Sequence, residues 1–199
     1  TPIRLSAERL LKKFKEEVSD PVIFEKYAKN ILKNSDNIKD IVSEFVDFAR
    51  LPTPNYTRCE VVSLLNDLVE SRKLINANIS YNFVSNVSEF AFVCDIAQFN
   101  RVVVNLLLNS EEAFLDSSSD KKINVEFLIS DQNSIVEIIF EDTGPGFTSE
   151  ALSSAKEAYV TTKIKGTGLG LAIVDRIVID HFGNMQISIS NSIKGFVGV

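Results

Sequence analysis

The chain is poor in the residues that mark metal-binding, secreted and membrane-spanning proteins. Its 199 residues include one histidine and two cysteines, Cys59 and Cys94, which have no CxxC spacing. A Cys/His metal cluster is therefore excluded, and a reduced, cytosolic setting is expected. No apolar run approaches the roughly 20 residues that span a bilayer, and there is no signal-peptide pattern. We expect this stretch to make no membrane contact.

Glycine and proline are also scarce, and no low-complexity tract interrupts the chain. With 8 glycines, 5 prolines and 45% apolar residues, the sequence predicts a folded chain with one good core and a smaller additional element. The net charge of −6 argues against a nucleic-acid partner, because proteins that bind nucleic acid present a basic face.

The first 50 residues carry two helical patterns. Apolar residues along 2–18 form one stripe, and Ser19-Asp20-Pro21 separates this helix from a second one that begins at Pro21. The second helix has an apolar heptad seam about four repeats long, formed by Phe24, Ile31, Ile38 and Phe45 with Tyr27, Asn34, Ile41 and Phe48. A hairpin of two helices buries little by itself, so we expect a second copy to complete a four-helix bundle. The alternative is that the hairpin packs on its own chain.

Beyond the prolines of 51–57 the pattern changes to mixed helix and strand. Helices are predicted at 61–75, 96–115 and 168–182, and strands at 79–84, 90–94, 122–130, 134–141, 184–190 and 195–199. Asp95 suits the N-cap of the second of these helices, and residues 131–133 suit a hairpin turn. His181 is typical of a C-terminal helix cap rather than a catalytic group. The pattern predicts a sheet with helices on one face.

Three short motifs follow one another in this second part. Asn105 and Asn109 share one face of an apolar helix, and the oxygen of Asn109 suits a Mg²⁺ ion. Capping or a hydrogen bond between elements is an equally good interpretation of the two asparagines. Asp142 ends an apolar strand and enters Thr-Gly-Pro-Gly146, where a carboxylate can accept the amine of adenine. Taken alone, this motif is better explained as an ordinary Asp-x-Gly turn.

The third motif is Gly166-Thr-Gly-Leu-Gly-Leu171, which precedes an apolar helix. Backbone amides at such a turn and helix start suit phosphate groups. It is neither the dinucleotide fingerprint nor a P-loop. Lys163 or Lys165, in the polar segment before it, could meet a phosphate, although a lone lysine is more often simply solvated.

Taken in order, the three motifs resemble the N box and the two glycine boxes of sensor histidine kinases, which belong to the Bergerat-fold ATPases with gyrase, Hsp90 and MutL. The N-terminal hairpin resembles the dimerisation and phosphoacceptor domain of these kinases. More narrowly, Thr1–Leu10 and Ala158–Leu171 resemble the NtrY-type nitrogen-regulation sensor kinases. The resemblance covers nearly the whole chain.

The resemblance implies an α+β fold in three parts. These are a dimerising antiparallel helical hairpin at 1–50, a linker at 51–57, and an α/β sandwich ATP-binding domain of the histidine kinase/Hsp90 type at 58–199. ATP and Mg²⁺ are implied as ligands, and a second copy and a cognate response regulator as partners. The parent protein would be anchored in the membrane, with this portion in the cytoplasm.

It also implies a role for each motif residue. Asn109 is the Mg²⁺ ligand and Asn105 organises the phosphate site, while Asp142 recognises adenine in a pocket shaped by Gly144 and Gly146. Lys163 belongs to the ATP lid. The residues around the phosphates are Gly166, Thr167, Gly168, Leu169, Gly170 and Leu171. The implied reaction transfers the γ-phosphoryl group to a histidine and then to a response-regulator aspartate.

Three features depart from the family pattern. The phosphoacceptor histidine is expected a few residues before Thr1-Pro2-Ile3, outside the chain. Glu112 stands where many relatives carry a basic or amide side chain near the phosphates. The segment Gly195-Phe196-Val197 lacks the threonine that often follows this glycine.

Two other functions compete with the kinase. A different Bergerat ATPase would need a glutamate base at the first N-box position, where Asn105 stands. A non-enzymatic dimeric scaffold would have a degenerate pocket, which the three motifs argue against. The input signal and the cognate regulator are not encoded in these residues.

Overall fold

A computed structural model describes residues 2–14, 20–114, 120–130, 135–160, 167–189 and 196–197. The chain divides into two compact units, Thr1–Leu51 and Pro52–Val199. Among the described residues no helix has both the length and the apolar content needed to cross a bilayer. The hairpin turn expected at 131–133 lies outside the described residues.

The first unit contains helices α1 (Pro2–Phe14) and α2 (Pro21–Ala49). Helix α2 begins where the sequence predicts, because Asp20 is its N-cap. One carboxylate oxygen of Asp20 accepts hydrogen bonds from the backbone N–H groups of Val22 (3.1 Å) and Ile23 (3.0 Å). Pro21 occupies the first turn, where it costs no helical hydrogen bond.

The two helices contact each other through small side chains and leave much of the heptad seam uncovered. Ala7 of α1 and Ala28 of α2 are buried, and Arg4 donates a hydrogen bond of 2.7 Å to Asp36. On the seam, however, Ile38 is 58% exposed and Phe45 48% exposed. The apolar seam of α2 is therefore not buried by α1.

The second unit contains four helices and seven strands among the described residues. The helices are α3 (Val61–Ile75), α4 (Ile96–Ala113), α5 (Ser149–Ser153) and α6 (Gly170–Asp180). The strands are β1 (Thr57–Glu60), β2 (Ser80–Ser85), β3 (Ala91–Cys94), β4 (Lys122–Ser130), β5 (Ile135–Asp142), β6 (Ser188–Ile189) and β7 (Phe196–Val197). The sequence did not predict β1 or α5, which are short, and β6 begins at Ser188, later than the predicted start at 184.

The described strands form three sheets. In the central one β4 lies between β2, to which it runs parallel, and β5, to which it runs antiparallel. Strand β1 pairs antiparallel with β3, and β6 pairs antiparallel with β7. The pairing of β4 with β5 puts Asp142, the last residue of β5, opposite Ile123 near the start of β4.

The core of the second unit lies between the central strands and helices α3, α4 and α6. Alternate residues of β4, Ile123, Val125 and Phe127, are completely buried. The helices contribute buried residues at helical spacing, which include Val61, Leu65, Val69, Val103, Leu106, Leu107, Val174 and Ile177. This strand alternation and helical spacing are the patterns that the sequence displays, and they confirm an α+β fold.

A polar junction fixes the start of α4 and the end of α6. Asp95 is the N-cap of α4, and its carboxylate accepts from the backbone N–H groups of Gln98 (2.9 Å) and Asn55 (2.7 Å). The N–H of Asp95 itself donates to Nε2 of His181 (3.0 Å), whose Nδ1 lies 2.8 Å from the carbonyl oxygen of Ile177. The imidazole of His181 thus connects the end of α6 to the start of α4. The predicted capping roles of Asp95 and His181 are confirmed.

We predict that Asp95→Ala lowers the free energy of unfolding by about 1–2 kcal/mol at pH 7, because two backbone donors lose their acceptor. Hydrogen bonds from Asn55 and Gln98 hold the pKa of Asp95 below its ordinary value. A depressed pKa means that this stabilisation is present above the unfolded-state pKa of about 3.9 and is lost as the pH falls below it. Urea unfolding at pH 7 and pH 3 should show that the difference in free energy of unfolding between variant and wild type is smaller at pH 3. A gap that is the same at both pH values would contradict this.

Candidate nucleotide site

The two asparagines of the first motif lie on α4 among buried apolar residues. Asn105 and Asn109 are half-buried, while Leu106 and Leu107 between them are buried. The side-chain nitrogen of Asn105 is buried and has no hydrogen-bond partner among the described residues. A buried amide in this state costs roughly 1–3 kcal/mol. The nitrogen is therefore a candidate donor to a polar ligand or to water.

The carboxylate of the second motif is held at the end of β5. Asp142 is 5% exposed, and its Oδ1 accepts a hydrogen bond of 2.8 Å from the N–H of Gly144. The neighbouring Thr143 hydroxyl accepts from the N–H of Lys122 (3.0 Å) and donates to the carbonyl of Asp120 (2.6 Å). The strand end is thus tied to the start of β4, so the carboxylate has a fixed position.

Gly144 brings this strand end against α4. A Cβ atom at Gly144 would lie 2.7 Å from Oδ1 of Asp142 and 2.9 Å from the Cβ of Ala113. Both distances are shorter than van der Waals contact, so only glycine fits. Gly146 is required for a different reason, because its φ of +72° is in the left-handed region and nothing crowds its Cα.

The start of α6 meets the same helix one turn earlier. A Cβ at Gly170, the first residue of α6, would lie 3.6 Å from the side-chain nitrogen of Asn109. Among the described residues no side chain caps the first turn of α6. The unsatisfied N–H groups and the positive end of the helix dipole therefore lie beside Asn109, in an arrangement that favours an anion.

The glycine-rich turn before α6 packs against the residues that precede the polar segment. The N–H of Tyr159 donates to the carbonyl of Gly168 (3.1 Å). Gly168 has a φ of +70°, and a Cβ there would lie 2.7 Å from the backbone of Val160. Leu169 is buried and Leu171 is half-buried, while the Thr167 hydroxyl accepts from the N–H of Leu169 at 3.3 Å. Lys163 and Gly166 lie outside the described residues.

These contacts bring Asn109, Asp142 and the start of α6 to one end of α4. An apolar cavity of about 340 Å³ elsewhere in the unit is lined by residues such as Phe99, Phe140 and Ile177, and by none of the motif residues. In the described part of the chain no three His, Cys, Asp or Glu side chains group in a way that would hold a metal. The donor set at the motifs instead suits Mg²⁺, which takes one or two protein oxygens together with phosphate oxygens.

Sequence reasoning missed a polar cluster on the other side of α4, which we call the polar clamp: Arg72, Asn76, Tyr81 and Glu111. Oε1 of Glu111 accepts from Nε of Arg72 (2.7 Å) and from the Tyr81 hydroxyl (2.8 Å). Oε2 accepts from Asn76 Nδ2 (2.6 Å) and from Nη2 of Arg72. The four residues come from α3, its C-cap, β2 and α4, so no short sequence pattern announces them.

Comparison with known proteins identifies relatives of the chain. Residues 94–197 match the family described as histidine kinase-, DNA gyrase B- and HSP90-like ATPase. The chain is 48% identical over 188 residues to a Rickettsia bellii protein named as an NtrY-like sensor histidine kinase. It is 31% identical over 194 residues to the nitrogen regulation protein NtrY of Azorhizobium caulinodans. The matches cover 94% of this chain but 30% and 25% of those two relatives.

The same fold occurs in solved histidine kinases. The histidine kinase ThkA, in a crystal structure with the response regulator TrrA, aligns with a TM-score of 0.69 at 20% identity. That alignment covers 98% of this chain and 57% of ThkA.

We predict that Gly144→Ala destabilises the protein more than Gly146→Ala does. The added methyl at Gly144 must displace either the Asp142 carboxylate or the last turn of α4, a strain of about 1–3 kcal/mol. At Gly146 the methyl enters open space and costs about 1 kcal/mol for the left-handed backbone alone. Urea denaturation of both variants measures the difference. Equal losses would mean that the contact between Gly144 and Ala113 is not tight in solution.

Proposed function

The chain belongs to the histidine kinase-, DNA gyrase B- and HSP90-like ATPase family, and we propose that it is the catalytic core of a sensor histidine kinase. In this proposal it binds Mg-ATP and passes the γ-phosphoryl group to a histidine, and the group then moves to an aspartate of a response regulator. The observation that carries the proposal is the meeting of Asn109, the Asp142 strand end and the start of α6 at one end of α4. The names of the NtrY-like relatives support the kinase branch.

Asp142 is proposed to recognise adenine. Its carboxylate is buried and oriented by the N–H of Gly144. A carboxylate held in this way accepts the exocyclic amine of adenine and rejects a base that presents an oxygen there. Gly144 and Gly146 would leave room for the ring, because neither carries a side chain.

Asn109, Asn105 and the start of α6 are proposed to hold the triphosphate and its metal. Asn109 would supply one oxygen ligand to Mg²⁺, and the unpartnered nitrogen of Asn105 would donate to a phosphate oxygen. The N–H groups at the start of α6 would donate to the phosphates, with Thr167, Gly168, Leu169 and Leu171 around them. Bound Mg²⁺ supplies charge neutralisation on the phosphate oxygens. Lys163 and Gly166 remain proposed lid and phosphate contacts.

The proposed transfer breaks the bond between the γ-phosphorus and its bridging oxygen, forms a phosphorus–nitrogen bond and releases ADP. The acceptor is proposed to lie outside these residues. His181, the only histidine of the chain, has both ring nitrogens engaged, by Ile177 and by Asp95. Asn105 cannot act as a base toward water, since an amide does not take up a proton at neutral pH. This favours phosphoryl transfer over a clamp-type ATPase.

The first unit is proposed to dimerise as a four-helix bundle, which assigns dimerisation to 1–50, a linker to 51–57 and catalysis to 58–199. The supporting observation is the exposed seam of α2, where Ile31, Ile38, Ile41 and Phe45 are between 44% and 58% exposed. A second hairpin would bury these side chains, each worth about 1.5–3 kcal/mol when fully covered.

A response regulator is the proposed second partner, and a membrane-anchored parent the proposed context. Both rest on the kinase assignment. The chain spans 30% or less of the NtrY-like relatives reported above, which leaves most of those proteins unmatched. ThkA, with a related fold, was crystallised with its regulator.

We predict that calorimetric titration of the chain with ATP shows Mg²⁺-enhanced binding, and that two substitutions separate its components. Asp142→Ala should abolish detectable binding, because adenine loses its acceptor, while the melting temperature shows that the fold persists. Asn109→Ala should keep binding in EDTA but lose the enhancement by Mg²⁺.

Glu150→Ala, a change on the exposed helix α5, is the matched control and should bind as wild type does. Unchanged ATP affinity in Asp142→Ala would refute the adenine assignment. Retained Mg²⁺ enhancement in Asn109→Ala would put the metal elsewhere. Absence of binding by the wild type would favour the scaffold alternative.

We also predict that the chain sediments as a dimer and that Ile38→Asp makes it monomeric, because a charge would replace an apolar side chain in the seam. Analytical ultracentrifugation at micromolar concentration measures this. Lys39→Asp, at the next position and off the seam, controls for the added negative charge and should remain dimeric. A monomeric wild type would overturn the bundle proposal.

A further inference from the structure

We propose that the polar clamp is a positioning device that sets the rotation of α4, and with it the placement of Asn109 against the start of α6. This inference rests on the proposed function, because Asn109 is the proposed Mg²⁺ ligand. Arg72, Asn76, Tyr81 and Glu111 touch neither the nucleotide nor the metal in this proposal. They act through the helix that carries the ligand.

The hydrogen bonds of the polar clamp converge on the carboxylate of Glu111 and occupy both of its oxygens. The carboxylate of Glu111 receives four hydrogen bonds, two on each oxygen, from three different side chains. Its side chain is 9% exposed, and that of Arg72 is 19% exposed. With both oxygens saturated from fixed directions, the last turn of α4 has one position that satisfies every donor.

The polar clamp and Asn109 lie on opposite sides of α4. At about 100° per residue, Glu111 projects about 200° from Asn109, on the far side of α4. Ala113 is about 40° from Asn109, on the near side, where it abuts Gly144. A rotation of α4 that moved Glu111 out of the polar clamp would therefore also move Asn109 away from Gly170. The same rotation would change the distance between Ala113 and Gly144.

The polar clamp restricts the position of α4 more than it stabilises the fold. A buried ion pair usually contributes little net stability compared with apolar residues of the same size, because both charges lose their hydration. What it does supply is directionality, since its hydrogen bonds tolerate little displacement. The apolar contacts of α4 are non-directional, so they specify the rotation of the helix less sharply than hydrogen bonds do. The clamp is thus better explained by positional precision than by stability.

The clamp also stays assembled across the physiological pH range. Burial, together with the hydrogen bond to Glu111, raises the pKa of Tyr81 to about 12. The hydrogen bond to Glu111 also raises the pKa of Arg72. Tyr81 therefore remains a donor and Arg72 a cation across the physiological pH range.

The test compares Glu111→Gln and Tyr81→Phe with wild type in the full chain. Both variants keep the shape of the side chain and remove part of the clamp. Lys73→Gln is the matched control, because Lys73 follows Arg72 on α3 and makes only an exposed pair with Glu70. Calorimetry measures ATP affinity with Mg²⁺ and in EDTA, and scanning calorimetry measures the melting temperature of each protein.

We expect Glu111→Gln to reduce the enhancement by Mg²⁺ about tenfold, as the loss of a residue that orients a metal ligand does. Its affinity in EDTA should fall much less, because the Asp142 carboxylate lies on β5 and is held by the N–H of Gly144 rather than by α4. Tyr81→Phe should reduce the enhancement less, and Lys73→Gln should leave it unchanged. A general loss of structure would instead lower both affinities together.

Each other outcome has a defined meaning. If both affinities fall together, or if the enhancement is unchanged in folded variants, the positioning role is overturned while the proposed function stands. If Glu111→Gln does not fold, Tyr81→Phe tests the inference by the same comparison of ATP affinity with Mg²⁺ and in EDTA. If the wild type binds no ATP, the proposed function fails, and this inference fails with it.

Discussion

The closeness of α4 to two glycine backbones is the constraint on which the site depends. At Gly144 a single added carbon would lie 2.9 Å from Ala113, and at Gly170 it would lie 3.6 Å from the Asn109 amide. Glycine at 144 lets the strand end reach this helix face, whereas a Cβ at Gly170 would make an ordinary van der Waals contact with Asn109. The end of β5 that carries Asp142 is thereby held against α4 by a close approach of its backbone, which does not adjust as side chains do.

Polar contacts hold α4 at both ends, whereas apolar packing holds its middle. At the start, Asp95 accepts from Asn55 and its N–H donates to His181. At the end, Glu111 is held by the polar clamp. This division has a physical reason, since apolar side chains provide most of the burial energy without direction, and hydrogen bonds provide direction at small net energy. Helix α4, which carries the candidate residues Asn105 and Asn109, combines both kinds of contact.

The two units differ in how completely they bury their apolar residues. The second encloses its core between strands and helices, with Val61, Leu65 and Phe127 fully covered. The first leaves Ile31, Ile38 and Phe45 of its heptad seam substantially exposed. A heptad seam without a partner is unfavourable in water. The exposed seam is therefore the physical basis for proposing that the first unit associates with a second copy.

The sequence by itself determined the longer helices and several of their caps. The spacing of apolar residues predicted α2, α3, α4 and α6, and the local chemistry of Asp20, Asp95 and His181 marked helix ends, because these signals act within a few residues. The motifs also identified Asn109, Asp142 and Gly170 as candidates. Only the tertiary structure decided that these three meet at one end of α4. It alone brought together Arg72, Tyr81 and Glu111, because partners separated by 30 or more residues leave no periodic or local signal in a single sequence.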